Sequence, residues 1–242
     1  MQIGIIGFGQ LGQFAAKHLK NHAEIFAADK FNKRKQAKKL GINFVPIKKA
    51  ASKDIVIVSV PINQFESTFK EIKDSFKKGA LVLDVCSVKV KPAKIMKKLA
   101  PKETEIIAAH PLFGPQSGAN GIKGLKVVLC PIRTKNLEKI KKFLENKLKL
   151  HVIVATPEEH DKSMAKTAIL SHFIGRALVN LNIKQQNITE PSFSKLLELK
   201  EMLKEDSIEL FKDIQKNNPF AKKTRNRFME EALCLNQAFE EK

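Results

Sequence analysis

Apolar residues along this 242-residue chain follow two rhythms. Up to about residue 155, short unbroken apolar runs alternate with longer stretches of helical spacing. Ile3, Ile5 and Ile6 form the first run, β-branched and too short for a helix, and it reads as a buried strand. Leu11, Phe14, Ala15 and Leu19 then recur at helical spacing. Further strands are predicted over 23–28, around 44–47, over 54–60 where Pro61 ends the run, and over 80–84, 105–109, 126–130 and 152–155. Helices are predicted over 31–40, stopped by Gly41, over 64–76, where Phe65, Phe69, Ile72 and Phe76 share a face, and over 90–99. From Pro157 onward no strand remains, and helices are predicted over 163–181, 192–203, 207–215 and 221–239. The fold class that follows is α/β: a Rossmann-like, doubly wound, mostly parallel sheet over 1–155, then an all-helical domain over 156–242.

Gly7, Gly9 and Gly12 stand between the first strand and the first helix at the G-x-G-x-x-G spacing. In that context Gly7 permits a tight turn, Gly9 lets the backbone approach a pyrophosphate, and Gly12 lets helix pack on strand. Phe8, Gln10 and Leu11 complete the candidate phosphate loop, and the N–H groups at the helix start carry partial positive charge. Asp29 closes the second strand about 20 residues on, where a carboxylate accepts hydrogen bonds from a ribose 2′-hydroxyl. Capping the following helix is the other role open to it. Asp29 points to NAD, while Lys30, Lys33 and Arg34 could hold a 2′-phosphate and keep NADP open.

The formal charge of +19 changes this picture little. Only five of the 44 basic residues are arginine, the lysines lie at surface spacing, and neither tryptophan nor tyrosine is present to stack bases. The excess reads as solvated surface and not as a nucleic-acid face. Cys86, Cys130 and Cys234, odd in number and far apart, fit neither a disulfide framework nor a zinc pattern, so no metal is expected and a reducing compartment is. The chain enters a strand at once, without a basic leader, and no apolar run nears the roughly 18 residues of a membrane span. A cytoplasmic protein is expected.

Ligands of open α/β sheets sit outside the carboxyl ends of the strands. Ser59, Val60 and Pro61 end one apolar run and are placed to border a nicotinamide. His110 follows another and opens a Pro- and Gly-punctuated loop, a position suited to acid–base work near neutral pH or to a core-edge histidine that bonds a carbonyl. Ser87 either orients His110 or caps the helix over 90–99. Lys89 is a candidate for a substrate carboxylate in a chain with 39 lysines. Glu158 and Glu159 suit the dipole of a helix start whatever the function, and His172 lies among apolar residues further along the same predicted helix.

Ser-Val-Pro-Ile at 59–62, Asp-Val-Cys-Ser-Val-Lys at 84–89, His-Pro-Leu-Phe-Gly-Pro-Gln-Ser-Gly at 110–118, Glu-Glu-His-Asp at 158–161 and Ser-His-Phe at 171–173 together resemble the prephenate/arogenate dehydrogenase family. The resemblance covers both halves of the chain in the right order. It implies NAD(P)-dependent oxidative decarboxylation of a cyclohexadienyl substrate in tyrosine biosynthesis, a homodimer through the helical domain, and an active site between the domains. His110 then matches the catalytic histidine that takes the proton of the substrate's ring hydroxyl, and Ser87 the serine bonded to it. Gln116 and Ser117 match the loop lining the pocket, and His172 the helical-domain histidine that faces it. Prephenate-using members commonly carry an arginine in the helical domain. Residues 192–211 hold none, leaving Lys195 or Lys200 as stand-ins that lack its planar fork. In this, and in Asp-Ser-Ile-Glu-Leu-Phe at 206–211, the chain resembles the plant-type arogenate enzymes. Asp161 is the acidic residue expected near the ammonium of arogenate. The alternatives are a β-hydroxyacid dehydrogenase or imine reductase on a similar plan, which would rely on a helical-domain lysine, and a non-catalytic dinucleotide- or nucleic-acid-binding module.

Overall fold

The computed structural model describes residues 1–204 and 207–239, and the chain divides into two compact units, Met1–His160 and Asp161–Lys242. Asp206 lies outside the described residues. The first unit carries eight strands: β1 (Gln2–Ile6), β2 (Glu24–Ala28), β3 (Asn43–Phe44), β4 (Ile55–Val58), β5 (Leu81–Asp84), β6 (Glu105–Pro111), β7 (Lys126–Arg133) and β8 (His151–Val154). They form one sheet in the order β3-β2-β1-β4-β5-β6-β7-β8. The order reverses between β1 and β4, which is where open α/β sheets bind ligands. Among the pairs only β6–β7 is antiparallel. No helix separates these two strands, and a parallel pair would need a longer crossover.

Helices α1 (Gln10–Leu19), α2 (Arg34–Leu40), α3 (Ile47–Ala51), α4 (Ile62–Ile72), α5 (Val90–Leu99) and α6 (Leu137–Asn146) cover the sheet. Phe65, Phe69 and Ile72 of α4 and Met96 of α5 bury against Val56, Val58 and Ile106. Phe8 and Ala16 pack with Ile3 and Ile5 in a second cluster, and residues of α6 join a third around Leu129. Burial on both faces explains why the strands are continuous apolar runs. At Gly4 a Cβ would lie 1.9 Å from the Ala50 carbonyl oxygen, so α3 reaches β1 only across a glycine.

Three expectations for this unit need correction. The strand around 44–47 is only Asn43–Phe44, because Pro46 starts helix α3. The helix over 64–76 runs from Ile62 to Ile72 and tightens into a 3₁₀ turn at Lys73–Ser75. Helix α6 was not predicted at all. Its apolar residues Leu137, Ile140, Phe143 and Leu144 have helical spacing but are interleaved with lysines, and none is fully buried.

Helix α7 (Pro157–Lys166) spans the boundary between the units, and α8 (Ala168–Asn180), α9 (Pro191–Lys204), α10 (Ile208–Asn217) and α11 (Ala221–Gln237) follow. The single helix predicted over 163–181 is therefore two, broken at Thr167, whose backbone (φ −110°, ψ −99°) leaves the helical region without glycine or proline. Helices α8 and α9 meet at Gly175, where a Cβ would sit 2.3 Å from a Leu203 methyl. Polar ties reinforce the helical unit: Gln215 Nε2 donates to the Ile169 carbonyl (2.8 Å) and Arg225 Nη1 donates to Gln215 Oε1 (2.8 Å). Among the described residues, no helix is long and apolar enough to cross a membrane.

Candidate active site

The glycine loop is shaped by three different constraints. Gly7 has φ +93°, and a Cβ there would lie 2.3 Å from the Ser59 carbonyl oxygen. At Gly12 a Cβ would lie 2.1 Å from the Gly7 carbonyl oxygen. At Gly9 a Cβ would meet nothing within 4 Å. Gly9 is the cap residue of α1, no side chain caps the helix, and its first turn holds no acidic residue. The N–H groups of that turn are thus left to an external acceptor, with open space beside them. That combination of donors and room suits a pyrophosphate. Phe8 corrects the expectation of a ligand contact: its side chain is fully buried, its N–H donates to Asp29 Oδ2 (2.6 Å), and its carbonyl accepts from Gln13 Nε2 (2.9 Å). Gln10 is exposed and Leu11 half-buried.

Asp29 follows β2 directly. Its Oδ1 accepts from the Phe31 N–H (2.9 Å), a local turn, while Oδ2 binds the loop at Phe8. Both oxygens keep lone pairs for a ribose hydroxyl. Lys30 Nζ donates to Gln64 Oε1 (3.0 Å). Ser59 donates its N–H to the Ile6 carbonyl (2.7 Å), yet its buried Oγ has no hydrogen-bond partner among the described residues. Val60 accepts a weak bond from Cys86 Sγ (3.8 Å), and Pro61 caps α4.

His110 lies within β6 opposite Val128, because the strand expected to end at Ala109 runs on to Pro111, and is 9% exposed. Its Nδ1 is 2.8 Å from Nε2 of His160, a residue 4% exposed, with the rings edge to face. His160 is presented by a capping box at the start of α7. The Thr156 N–H and hydroxyl both donate to Glu159 Oε2 (2.8 and 2.9 Å), and the Glu159 N–H donates to Thr156 Oγ1 (3.1 Å). The His160 N–H then donates to the Thr156 carbonyl (3.0 Å). Burial holds the His110 pKa well below 6.5, with the Lys89 ammonium and His160 pushing the same way, so the imidazole is neutral.

Lys89 and Ser87 depart from expectation. Lys89 is fully buried, and its Nζ donates to Asp84 Oδ1 and to the Ala109 carbonyl, so it braces the ends of β5 and β6 and does not present its charge to a substrate carboxylate. Burial pushes the Asp84 carboxyl up, against the pull of Lys89 and of the Cys86 N–H (2.9 Å). Ser87 is half-buried and makes no hydrogen bond among the described residues. His160, not Ser87, engages His110. Ser87 does not cap α5 either, because the cap position is Lys89.

In the loop after β6, Ser117 Oγ accepts from the Gly114 N–H (2.9 Å), and Gln116 and Ser117 are exposed. A Cβ on Gly118 would lie 2.6 Å from Phe14 Cζ, so this loop seats directly on α1. In the helical unit Asp161 is fully buried, its carbonyl accepting from Asn218 Nδ2 (2.7 Å), and His172 is half-buried on α8. Lys195 pairs with Glu198 (3.0 Å) and Lys200 Nζ donates to the Ile183 carbonyl. No cluster among the described residues could hold a metal ion. The first unit thus gathers the glycine loop, Asp29, Ser59, His110, Asp84 and Lys89 at the carboxyl ends of its central strands, with His160 against His110. His160 and Asp84 escape sequence reasoning as site residues. The Thr156/Glu159 spacing was the available signal for the first.

A family model described as prephenate dehydrogenase, nucleotide-binding domain, matches residues 15–154, and one described as TYRAAT1-like, C-terminal domain, matches residues 177–241. Arogenate dehydrogenase 2, chloroplastic, of Arabidopsis thaliana is 29% identical over 99% of this chain and 68% of its own length. A probable arogenate/prephenate dehydrogenase of Methanocaldococcus jannaschii is 30% identical over 100% of this chain, which spans 57% of that protein. Two solved structures share the fold. Prephenate dehydrogenase from A. aeolicus, in complex with hydroxyphenyl propionate and NAD+, aligns with a TM-score of 0.78 at 22% identity over 100% of this chain and 93% of its own. Synechocystis arogenate dehydrogenase aligns with a TM-score of 0.74 at 19% identity over 100% and 94%.

Proposed function

The chain belongs to the prephenate dehydrogenase family through its nucleotide-binding domain, and from that premise we propose that it catalyses the NAD(P)-dependent oxidative decarboxylation of a cyclohexadienyl substrate, arogenate in preference to prephenate. One observation carries the reading. Neutral His110, held at Nδ1 by His160, stands in the same unit as a glycine loop with open space at Gly9.

The bound dinucleotide supplies the hydride acceptor. Gly7, Gly9, Gly12 and the first turn of α1 would hold its pyrophosphate, Asp29 its ribose, and Ser59, Val60 and Pro61 would border the nicotinamide. The Asp29 carboxylate favours NAD over NADP. For His110 to act as base through Nε2, Nδ1 carries the ring hydrogen and donates it to His160 Nε2. The ring hydroxyl of the substrate gives its proton to Nε2 as the carbon beneath it gives up hydride. Breaking the bond to the ring carboxylate then releases carbon dioxide and leaves its electron pair in the aromatic ring. A depressed pKa makes His110 a weak base, and aromatisation supplies the driving force that a stronger base would otherwise provide.

The lean to arogenate is supported by the absence of arginine from residues 192–211. Gln116, Ser117 and His172 are assigned to substrate on the family resemblance, and Asp161 as the carboxylate that complements the ammonium of arogenate. Exposed apolar side chains on the helical unit, Met202 on α9 and Met229, Leu233 and Leu235 on α11, support a homodimer formed through it. Three cysteine thiols accord with a reducing compartment such as the cytoplasm. His110→Asn tests the reading, because it keeps a polar side chain and removes the base. Turnover should fall by about 10²–10⁴ with dinucleotide affinity unchanged, and undiminished turnover refutes the assignment.

A further inference from the structure

On the sheet face that carries α1 and α6, the first unit holds a pocket of about 560 Å³, partly open to solvent, that the proposed reaction does not use. Its origin is topological. Helix α1 packs on β1, and α6 packs on β8 and on the cluster around Leu81, Ile107 and Leu129, while α3, α4 and α5 cover the opposite face, so the space lies between α1 and α6 above β4 and β5. Ile57 of β4 and Leu83 of β5 lie on its floor, each half-buried. Leu11 to Leu19 of α1 form one wall, about 12 Å of helix, and Ile140, Phe143 and Leu144 of α6 form the other. Phe14, on the α1 wall, meets Phe113 (ring centroids 6.2 Å apart), and Phe143, on the α6 wall, meets His22 (5.6 Å), each edge to face.

The few polar groups of the lining restrict what can enter. His18 lines the cavity, and its buried Nε2 has no hydrogen-bond partner among the described residues. Burial and neighbouring Lys17 hold its pKa below 6.5, so it offers one neutral hydrogen-bonding nitrogen. Asp54 and Glu105 also line the cavity but are already bonded, Asp54 to Lys77 and the Gln2 N–H, Glu105 to Thr134, Lys135 and Asn136. Asn136, which donates to Glu105, and Lys139 complete the polar lining, so charges of both signs stand at the pocket and its apolar walls set the class of guest.

We propose that this cavity is a binding site for a small neutral apolar molecule carrying a single hydroxyl that bonds to His18 Nε2. The volume lies in the range of small-molecule sites, about 300–1,000 Å³, and apolar walls with one or two polar groups are what such sites present. Leu11, beside the glycine loop, and Phe113, three residues beyond His110, line the same space, so an occupant touches both functional loops.

The test is calorimetric titration of the full chain with 4-butylphenol and with butylbenzene. Saturable one-site binding of both is expected, with the phenol about fivefold tighter, the size of one net hydrogen bond. His18→Phe should remove the fivefold difference while leaving butylbenzene binding in place. Ala15→Phe, which fills the cavity from α1, should weaken both at least tenfold, and Leu83→Phe fills it from the floor if the first variant does not fold. No saturable binding, or binding indifferent to the filling variants, overturns the proposal. Concentration-dependent self-association that Ala15→Phe abolishes also overturns it and assigns the cavity to a second copy.

Discussion

Replacing Lys89 by methionine keeps much of the side chain's length and removes its charge at a position with no solvent exposure. What remains is Asp84, also at 0% exposure, with Oδ1 accepting from the Cys86 N–H and Oδ2 without a hydrogen-bond partner among the described residues. A buried carboxylate stripped of its ion-pair partner costs about 3–5 kcal/mol, a large share of the roughly 5–15 kcal/mol that stabilises a domain. The carboxyl can lower that cost by taking up a proton. Burial already pushes its pKa up, and without Lys89 the folded value rises further above the unfolded one. A group whose folded pKa is raised loses stability as pH rises and regains it as pH falls. The Lys89→Met deficit should therefore grow by about 1.4 kcal/mol per pH unit once pH passes the parent's own raised folded value, where the parent carboxyl ionises and the variant's does not, until Asp84 ionises in the folded variant as well. Urea unfolding of variant and parent at pH 5, 6 and 7 measures it. The double variant Asp84→Asn, Lys89→Met, with neither charge, should recover most of the loss. A deficit below about 1 kcal/mol that does not change with pH would refute the reasoning.

Three further outcomes follow from the same geometry. Gly9→Ala should leave thermal stability within about 0.5 kcal/mol of the parent while weakening dinucleotide binding in a calorimetric titration, because the added methyl enters open space; Gly12→Ala, 2.1 Å from a carbonyl oxygen, should instead lower the melting temperature. With His110 held well below pH 6.5, kcat/KM should stay flat from neutral pH downward and fall only once the imidazole takes a proton, so a pH–rate profile whose acid limb is centred above 6.5 contradicts the assigned base. His160→Phe leaves Nδ1 of His110 without its partner and should lower kcat about tenfold, the worth of one buried hydrogen bond, with the dissociation constant of the dinucleotide unmoved.

The strands were legible because β1, β2, β6 and most of β7 are buried on both faces and therefore written as continuous apolar runs, and the glycine fingerprint because Gly7 and Gly12 answer local steric demands. Less was legible where structure depends on partners distant in sequence. His160 lies 50 residues from His110 and meets it only because a Thr156/Glu159 capping box fixes the start of α7. The chain around Ser87 suggested a hydroxyl near His110, and the imidazole filled that role instead. Lys89 reads from the sequence as a candidate for a substrate carboxylate, but Asp84, five residues earlier, pairs with it in the core. The break at Thr167 has no glycine or proline to announce it, and α6 hides its apolar face among lysines.

The central claim is tested most directly by following reduced-nicotinamide absorbance with purified protein, arogenate and prephenate each supplied with NAD and with NADP. Turnover with arogenate and NAD, exceeding the other three combinations, is the predicted result. No reduction in any combination, from folded protein that still binds dinucleotide, would contradict the account.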